Sequence, residues 1–332
     1  MKLPLLEVDS LTVDYQMRRG TIRAVEDVSF SLKKGETLGL AGESGSGKST
    51  LGLSIIRLVP HPGVIVKGHI RIDETDIVKL REHEMRSIRG RKAAYIFQDP
   101  MTSLNPVKRI GAHFIELIRT HEPNTGKEEA FERTKTVVEN LGILSERIND
   151  YPHQFSGGMR QRIMIGLAIA LNPDLVIADE PTTALDVIVQ AKILDLLESL
   201  RKVYGMALIL ISHDLSIILE RCDKIIIMYA GHMLEYATSI EMHRNPKHPY
   251  TQGLLQSIPN IELSDQKLVA IPGSPPDMLN PPKGCRFWPR CSYVKKICRV
   301  KEPPLIKVGR NHFVRCFLYG KKGVHVERNR KS

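Results

Sequence analysis

The chain has 332 residues, room for one large domain or two smaller ones, and its hydrophobic fraction of 42% is enough for a sizeable core. No run of about 18 apolar residues occurs, which excludes a membrane-spanning helix, and the opening Met1-Lys2-Leu3-Pro4-Leu5-Leu6-Glu7-Val8-Asp9 is too short and too soon acidic for a signal peptide. The expectation is a cytosolic chain, or one peripheral on the inner face of a membrane. A net charge of +11 admits nucleic acid or an anionic membrane surface as partner, and a solvated basic surface accounts for it more simply.

Residues 1–35 alternate apolar and polar positions in short runs and predict antiparallel strands. Tyr15, in this stretch, could stack on an adenine ring or serve as a core residue at a strand end. Residues 37–41 read as a short buried strand and residues 50–58 as a helix. Between them lies Gly42-Glu43-Ser44-Gly45-Ser46-Gly47-Lys48-Ser49, which fits the phosphate-loop pattern G-x-x-x-x-G-K-[ST] at every fixed position. The glycines let the backbone curl so that successive N–H groups face phosphate oxygens, Lys48 adds a point charge, and the Ser49 hydroxyl is suited to ligate Mg²⁺. The dipole of the helix that the loop opens favours the same anion. Strand and helix flanks set the motif in its proper context, so nucleotide binding is the reading taken.

Further along, residues 63–73 predict a turn and a strand, residues 85–92 a basic exposed stretch, and residues 94–97 a strand ending at Gln98. A glutamine there could reach bound Mg²⁺ or a water, or simply end the strand before a Pro-marked turn. Residues 110–119 and 128–141 have helical spacing with charged faces, which suggests a helical insertion into an α/β body. Ser156-Gly157-Gly158 stands where a helix over 162–171 begins, a second anion-binding helix start or a plain cap. Residues 175–180 are an apolar strand ending in two carboxylates: Asp179 is placed to hold Mg²⁺ through water, and Glu180 to polarise a water. After a tight loop, a helix to about 202 and another buried strand over 206–211, His213 could contact a γ-phosphate or be a satisfied strand-end histidine. Residues 225–229 and 233–236 read as a hairpin around Ala230-Gly231-His232.

Cys222 stands alone and reads as a small core residue. The other four cysteines crowd together as Cys285-x5-Cys291-x6-Cys298-x17-Cys316. This lacks the paired Cys-x2-Cys spacing of zinc ribbons and ferredoxins. In a cytosolic protein it points to metal or cluster binding before disulfides, with the metal undecided by spacing.

In this order, the motifs make the chain resemble the nucleotide-binding subunit of an ABC transporter over residues 1 to about 240. Tyr15 resembles the adenine-stacking aromatic, residues 42–50 (to Thr50) the Walker A loop, Gln98 the Q-loop glutamine, and Ser156-Gly157-Gly158 the signature motif. Asp179-Glu180 resembles the Walker B pair, Ala184-Leu185-Asp186 the D-loop and His213 the switch histidine. The signature departs from L-S-G-G-Q at Phe155 and Met159. Asn245-Pro246-Lys247-His248-Pro249-Tyr250-Thr251 and the cysteine-rich end resemble the dipeptide/oligopeptide importer ATPases, some of which bind a [4Fe–4S] cluster through four cysteines.

The resemblance implies an α/β P-loop NTPase: an ABC ATPase core over 1–244, with an antiparallel β subdomain and a helical subdomain at about 101–170, and a small cysteine-rich extension over 245–332. It implies ATP and Mg²⁺ as ligands, with Ser49, Gln98 and Asp179 at the metal, and Glu180, His213 and Gln98 in hydrolysis. Gly42, Ser44, Gly45, Ser46, Gly47, Lys48, Ser49 and Thr50 would hold the nucleotide, with Ser156 to Gly158 capping the partner's ATP. At Cys285, Cys291, Cys298 and Cys316 it favours [4Fe–4S] over Zn²⁺, in a structural role. Implied partners are a second ATPase subunit in a heterodimer, two membrane-spanning permease subunits and an extracytoplasmic peptide-binding protein, with the chain on the cytoplasmic face of the membrane. A nickel or metal-chelate importer is the alternative within transport, and a redox-sensing ATPase a further one. A nucleic-acid-acting relative is disfavoured, because no long coiled coil lies between Gly47 and Phe155 and only one ATPase core is present.

Overall fold

In the computed structural model, residues 3–99, 103–183, 185–258, 271–319 and 324–325 are described. Ala184 and the basic run from Lys321 to Lys322, together with residues 328–331, lie outside them.

The alternating stretch at the start of the chain forms two long antiparallel strands, β1 (Leu6–Met17) and β2 (Gly20–Leu32), with register shifts between Val8 and Leu11 and between Leu11 and Val13. The apolar run β3 (Thr37–Ala41) follows, then helix α1 (Lys48–Ile55), and then β4 (Gly63–Ile72) and β5 (Thr75–Asp76). One sheet is antiparallel with order β2-β1-β4-β5. Helix α2 (Glu82–Ile88) buries Met85 completely against this layer, so the expected basic, exposed stretch is amphipathic, its methionine serving the core.

The second sheet is mixed. Its centre is built from β3, β6 (Ala93–Ile96), β7 (Leu175–Asp179), β8 (Ala207–Ile211) and β9 (Lys224–Tyr229), paired in parallel in the order β9-β3-β8-β7-β6. Every residue of β3, β7 and β8 is buried, as strands covered on both faces are, and their near-continuous apolar sequences follow from that. On one face Leu38, Ile177 and Ile209 meet Leu6, Val13 and Val28 of the antiparallel sheet. On the other face lies a helical layer: α3 (Ile110–His121), α4 (Lys127–Asn140), α5 (Gly157–Ile169) and α6 (Val187–Tyr204). Phe114, Ile163, Ile193 and Leu197 from these helices share a core with Val176, Leu208 and Ile225.

The last third of the chain continues the same sheet. After α7 (Leu215–Arg221), β10 (His232–Thr238) pairs antiparallel with β9. Two short helices follow, α8 (Ser239–Arg244) and α9 (Pro249–Gln256). Strands β11 (Leu305–Gly309), β12 (His312–Arg315) and β13 (Val324–His325) then extend the sheet from β10 in the order β13-β11-β12-β10. Glu235 opposes Val314 and Tyr236 opposes Phe313. Fully buried Glu235 locks this junction: its carboxylate accepts from the backbone N–H of Lys247 at 2.7 Å and of His248 at 2.8 Å, and His312 Nε2 lies 2.6 Å away. Among the described residues, no helix is long and apolar enough to cross a membrane.

Candidate functional site

Four parallel strands end side by side, and the chain segments leaving their carboxyl ends meet in one cleft. That is where open α/β sheets place their ligands. β3 leads into the phosphate loop, β7 into Glu180, β8 into Ser212 and His213, and β6 towards Gln98. The cleft is walled by Ala24, the loop residues 44–50, Gln98, Glu180 and His213.

The loop's shape depends on two glycines in particular. Gly47 caps α1 with φ 100°, and a Cβ there would sit 2.1 Å from the Ala24 carbonyl oxygen. Gly42 has φ 147°, and its Cβ would meet the Met228 carbonyl oxygen at 2.1 Å. Lys48 is 5% exposed, and its Nζ donates to the carbonyls of Gly42 at 2.8 Å and Glu43 at 3.0 Å. Burial pulls its pKa below the usual lysine value, against the raising effect of Glu180, Asp179 and Glu43.

The two carboxylates after β7 have different surroundings. Asp179 accepts from the Ser49 hydroxyl at 3.0 Å and from the Tyr95 hydroxyl at 2.7 Å. Burial raises its pKa, and these donors and Lys48 oppose the rise. Glu180 is held with φ 45°, a left-handed backbone that a non-glycine residue adopts at a cost of about 1 kcal/mol or more. One of its oxygens, Oε2, faces Gln98 Nε2 at 3.2 Å, the Thr183 hydroxyl at 2.9 Å and His213 Nδ1 at 3.4 Å. Asp179 is therefore paired with the phosphate loop, while Glu180 is turned to the cleft and ringed by polar side chains.

Two further groups named from the sequence lie outside the walls of this cleft. Tyr15 stands beside it: its hydroxyl lies 3.4 Å from Thr50 Oγ1, and its ring packs near Gly63, whose added Cβ would come within 2.8 Å of it. Ser156, Gly157 and Gly158 do not line the cleft. They form the N-terminus of α5, where the Ser156 hydroxyl accepts from the Met159 N–H at 3.4 Å. The two unusual residues of this segment share a partner: the Arg147 guanidinium lies 4.1 Å from the Phe155 ring centroid and donates to Met159 Sδ at 3.7 Å.

The four clustered cysteines all line one small cavity, with Phe287, Trp288 and Leu318 among its walls. Burial pushes the thiols of Cys285 and Cys316 up to about 12 and about 11, and raises that of Cys291. Trp288 Nε1 is buried with no hydrogen-bond partner.

Residues 25–183 match the family model described as ABC transporter, and residues 234–298 match that of the oligopeptide/dipeptide transporter C-terminal region. The chain is 46% identical over 327 residues to the oligopeptide transport ATP-binding protein OppD of Bacillus subtilis, covering 97% of this chain and 91% of that one. It belongs to the ABC transporter ATP-binding proteins of the oligopeptide/dipeptide type. The dipeptide transport ATP-binding protein DppD of Lactococcus lactis is 42% identical, over 95% of this chain and 90% of its own. Among solved structures, the dimeric post-hydrolysis state of the ATP-binding cassette MJ0796 bound to ADP and Pi superposes with a TM-score of 0.63 at 28% identity, covering 70% of this chain and 98% of that one.

Against this ABC cassette, sequence reasoning missed three side chains at the site. Tyr95 is one residue of a strand read only as apolar, yet its hydroxyl reaches Asp179; Thr183 sits in the loop after Glu180 and shares its oxygen. The third is Arg290, between Cys285 and Cys291, whose partner is Glu43 inside the phosphate loop. A tyrosine in a buried strand was the one available signal for the first, since a buried phenol needs a partner.

Proposed function

We propose that this chain is the ATP-hydrolysing subunit of an importer that takes up oligopeptides or dipeptides across the cytoplasmic membrane. The carrying observation is that a complete ATPase cleft and a peptide-transporter C-terminal region occur in one chain that aligns with peptide transport ATP-binding proteins over nearly its whole length. The nickel or metal-chelate branch has no comparable support among these relatives.

Lys48, the Ser49 hydroxyl and the loop N–H groups hold the phosphates. Ser49, Asp179 and Gln98 supply the hard oxygen donors that suit Mg²⁺, and the ion when bound neutralises phosphate charge. The 3.0 Å approach of Ser49 to Asp179 supports that grouping. Glu180 orients or deprotonates the attacking water, with His213 and Gln98 steadying it and the γ-phosphate. Because Ser156, Gly157 and Gly158 lie away from the cleft of their own chain, they serve the site of a second ATPase subunit, in a head-to-tail heterodimer. Opening and closing of that dimer rocks two permease subunits, which receive substrate from an extracytoplasmic binding protein. Gln98 and the helical region after it are the coupling surface. Tyr15 flanks the adenine.

At the four-cysteine cavity the reading is a [4Fe–4S] cluster ahead of zinc: all four cysteines line one cavity, and the unpartnered indole N–H of Trp288 suits a sulfide acceptor. Cys285, Cys291, Cys298 and Cys316 would hold it, and it would cross-link the extension.

The test is uptake in a host lacking this chain, with labelled dipeptide, oligopeptide and nickel. Loss of peptide uptake, restored by wild type and not by Glu180→Gln, is expected. Intact peptide uptake with loss of nickel uptake would move the chain to the metal branch.

A further inference from the structure

Glu43 is an acid inside a loop whose task is to hold polyanionic phosphates. Its polar groups are engaged one by one. Its carboxylate receives Arg290 in a two-pronged pair, Nη1 to Oε2 at 2.7 Å and Nη2 to Oε1 at 3.0 Å. Its N–H donates to the Tyr250 hydroxyl at 3.0 Å, and its carbonyl accepts from Lys48. Two of these three partners come from the C-terminal part of the chain.

Arg290 is itself built in. It is buried, its Nε donates to the Pro272 carbonyl at 2.8 Å, and its guanidinium lies near the Tyr229 ring. Tyr229, Tyr250 and Phe287 pack as an aromatic cluster beneath it. The next residue is Cys291, a wall of the cysteine cavity. A single side chain therefore spans from the cysteine loop to the phosphate loop.

We propose that Arg290 is a positioning residue for nucleotide binding: it offsets the Glu43 charge and fixes the loop that holds Lys48, so the cysteine-bearing segment sets ATP affinity. This rests on the reading of residues 42–49 as the ATP site. Without Arg290, an unpaired carboxylate is left on the loop that must hold the phosphates, and it is free to turn from its present position and repel them. Coupling between sites is reciprocal, so nucleotide binding must in turn steady the cysteine segment.

Charge logic gives a test that a merely structural arginine fails. Binding of a non-hydrolysable Mg–ATP analogue is measured by calorimetry on the full chain, for wild type, Arg290→Ala, Glu43→Gln and the double variant. Arg290→Ala is expected to weaken binding about tenfold, within the usual range of coupling between distinct sites. Adding Glu43→Gln should recover most of that loss, because the orphaned charge is gone. An Arg290→Ala protein that binds as wild type does, or a double variant as weak as the single, overturns the proposal. Should Arg290→Ala fail to fold, Arg290→Lys with and without Glu43→Gln gives the same comparison. Hydrogen exchange adds a second readout: the analogue should slow exchange of amides 285–298 in wild type and not in Glu43→Gln, and equal slowing in both overturns the link. A wild-type chain that does not bind the analogue would instead sink the ATP-site reading itself.

Discussion

The Tyr95 hydroxyl donates to Asp179 Oδ2 at 2.7 Å while the Ser49 hydroxyl donates to Oδ1 at 3.0 Å, so one buried carboxylate is held from both sides. Burial alone would drive Asp179 towards its neutral form, and these donors hold it back. In its proposed metal role Asp179 needs its charge, and the Tyr95 hydroxyl helps it keep that charge.

Tyr95→Phe should therefore weaken Mg²⁺ more than nucleotide. The expected result is about a tenfold rise in the Mg²⁺ concentration for half-maximal ATPase activity, in line with loss of an outer-shell partner. ATP affinity without metal should change little. A Mg²⁺ titration at saturating ATP measures this, and an unchanged midpoint would remove Tyr95 from the metal site.

Glu180 has neutral polar neighbours on one oxygen and a strained backbone, which holds that side chain in the cleft. Glu180→Gln keeps size and most hydrogen-bonding capacity and removes the base. Hydrolysis should fall by about 10²–10⁴-fold with ATP binding retained. Single-turnover assays with radiolabelled ATP decide it: normal turnover by the variant would assign the base elsewhere.

The centre of the fold was legible because buried parallel strands have a plain signature. Residues 37–41, 175–179 and 207–211 are apolar runs bounded by functional side chains, and no other element suits them. The phosphate loop was legible because backbone curvature demands glycine at fixed places. The strands of the C-terminal region were not legible. Leu305–Gly309 and His312–Arg315 are short and mix charge with apolar residues, and they are strands because β10 offers them an edge. Arg290–Glu43 was invisible for a different reason: the two residues are 247 positions apart in the chain, and neither carries a motif that names the other.

Acid should destabilise the protein through buried histidines. Burial holds His232 and His248 down at about 4. Both are neutral when folded at neutral pH, and His248 Nδ1 accepts the Tyr250 N–H at 3.0 Å, which a protonated ring cannot do. With the folded values depressed, the unfolded chain binds more protons between about pH 6.5 and 4. Their stabilisation is present above that window and is lost as pH falls through it. Melting temperature should drop steadily from pH 6.5 to 4, as stability falls by on the order of a few kcal/mol for the two together. His248→Asn keeps a capping acceptor without the titration, so its slope over that window should be shallower. Equal slopes in the two proteins would show that His248 does not carry the effect.

The cysteine cavity makes a prediction that separates three occupants by simple chemistry. With thiols raised to about 12 at Cys285 and about 11 at Cys316, a ligand-free cavity keeps these two neutral at pH 7 and slow to react with alkylating agents. A cluster instead deprotonates all four and brings visible colour. Protein purified without oxygen should be brown, with iron and acid-labile sulfide each near about four per chain. Cys298→Ser should lose that colour and lower the melting temperature, since three thiolates hold the centre less firmly than four. One zinc per colourless chain would assign a single ion in place of the cluster. Colourless, metal-free protein with four titratable thiols would leave the packing of Phe287 and Trp288 and the Arg290 contacts with Glu43 and Pro272 to hold this segment.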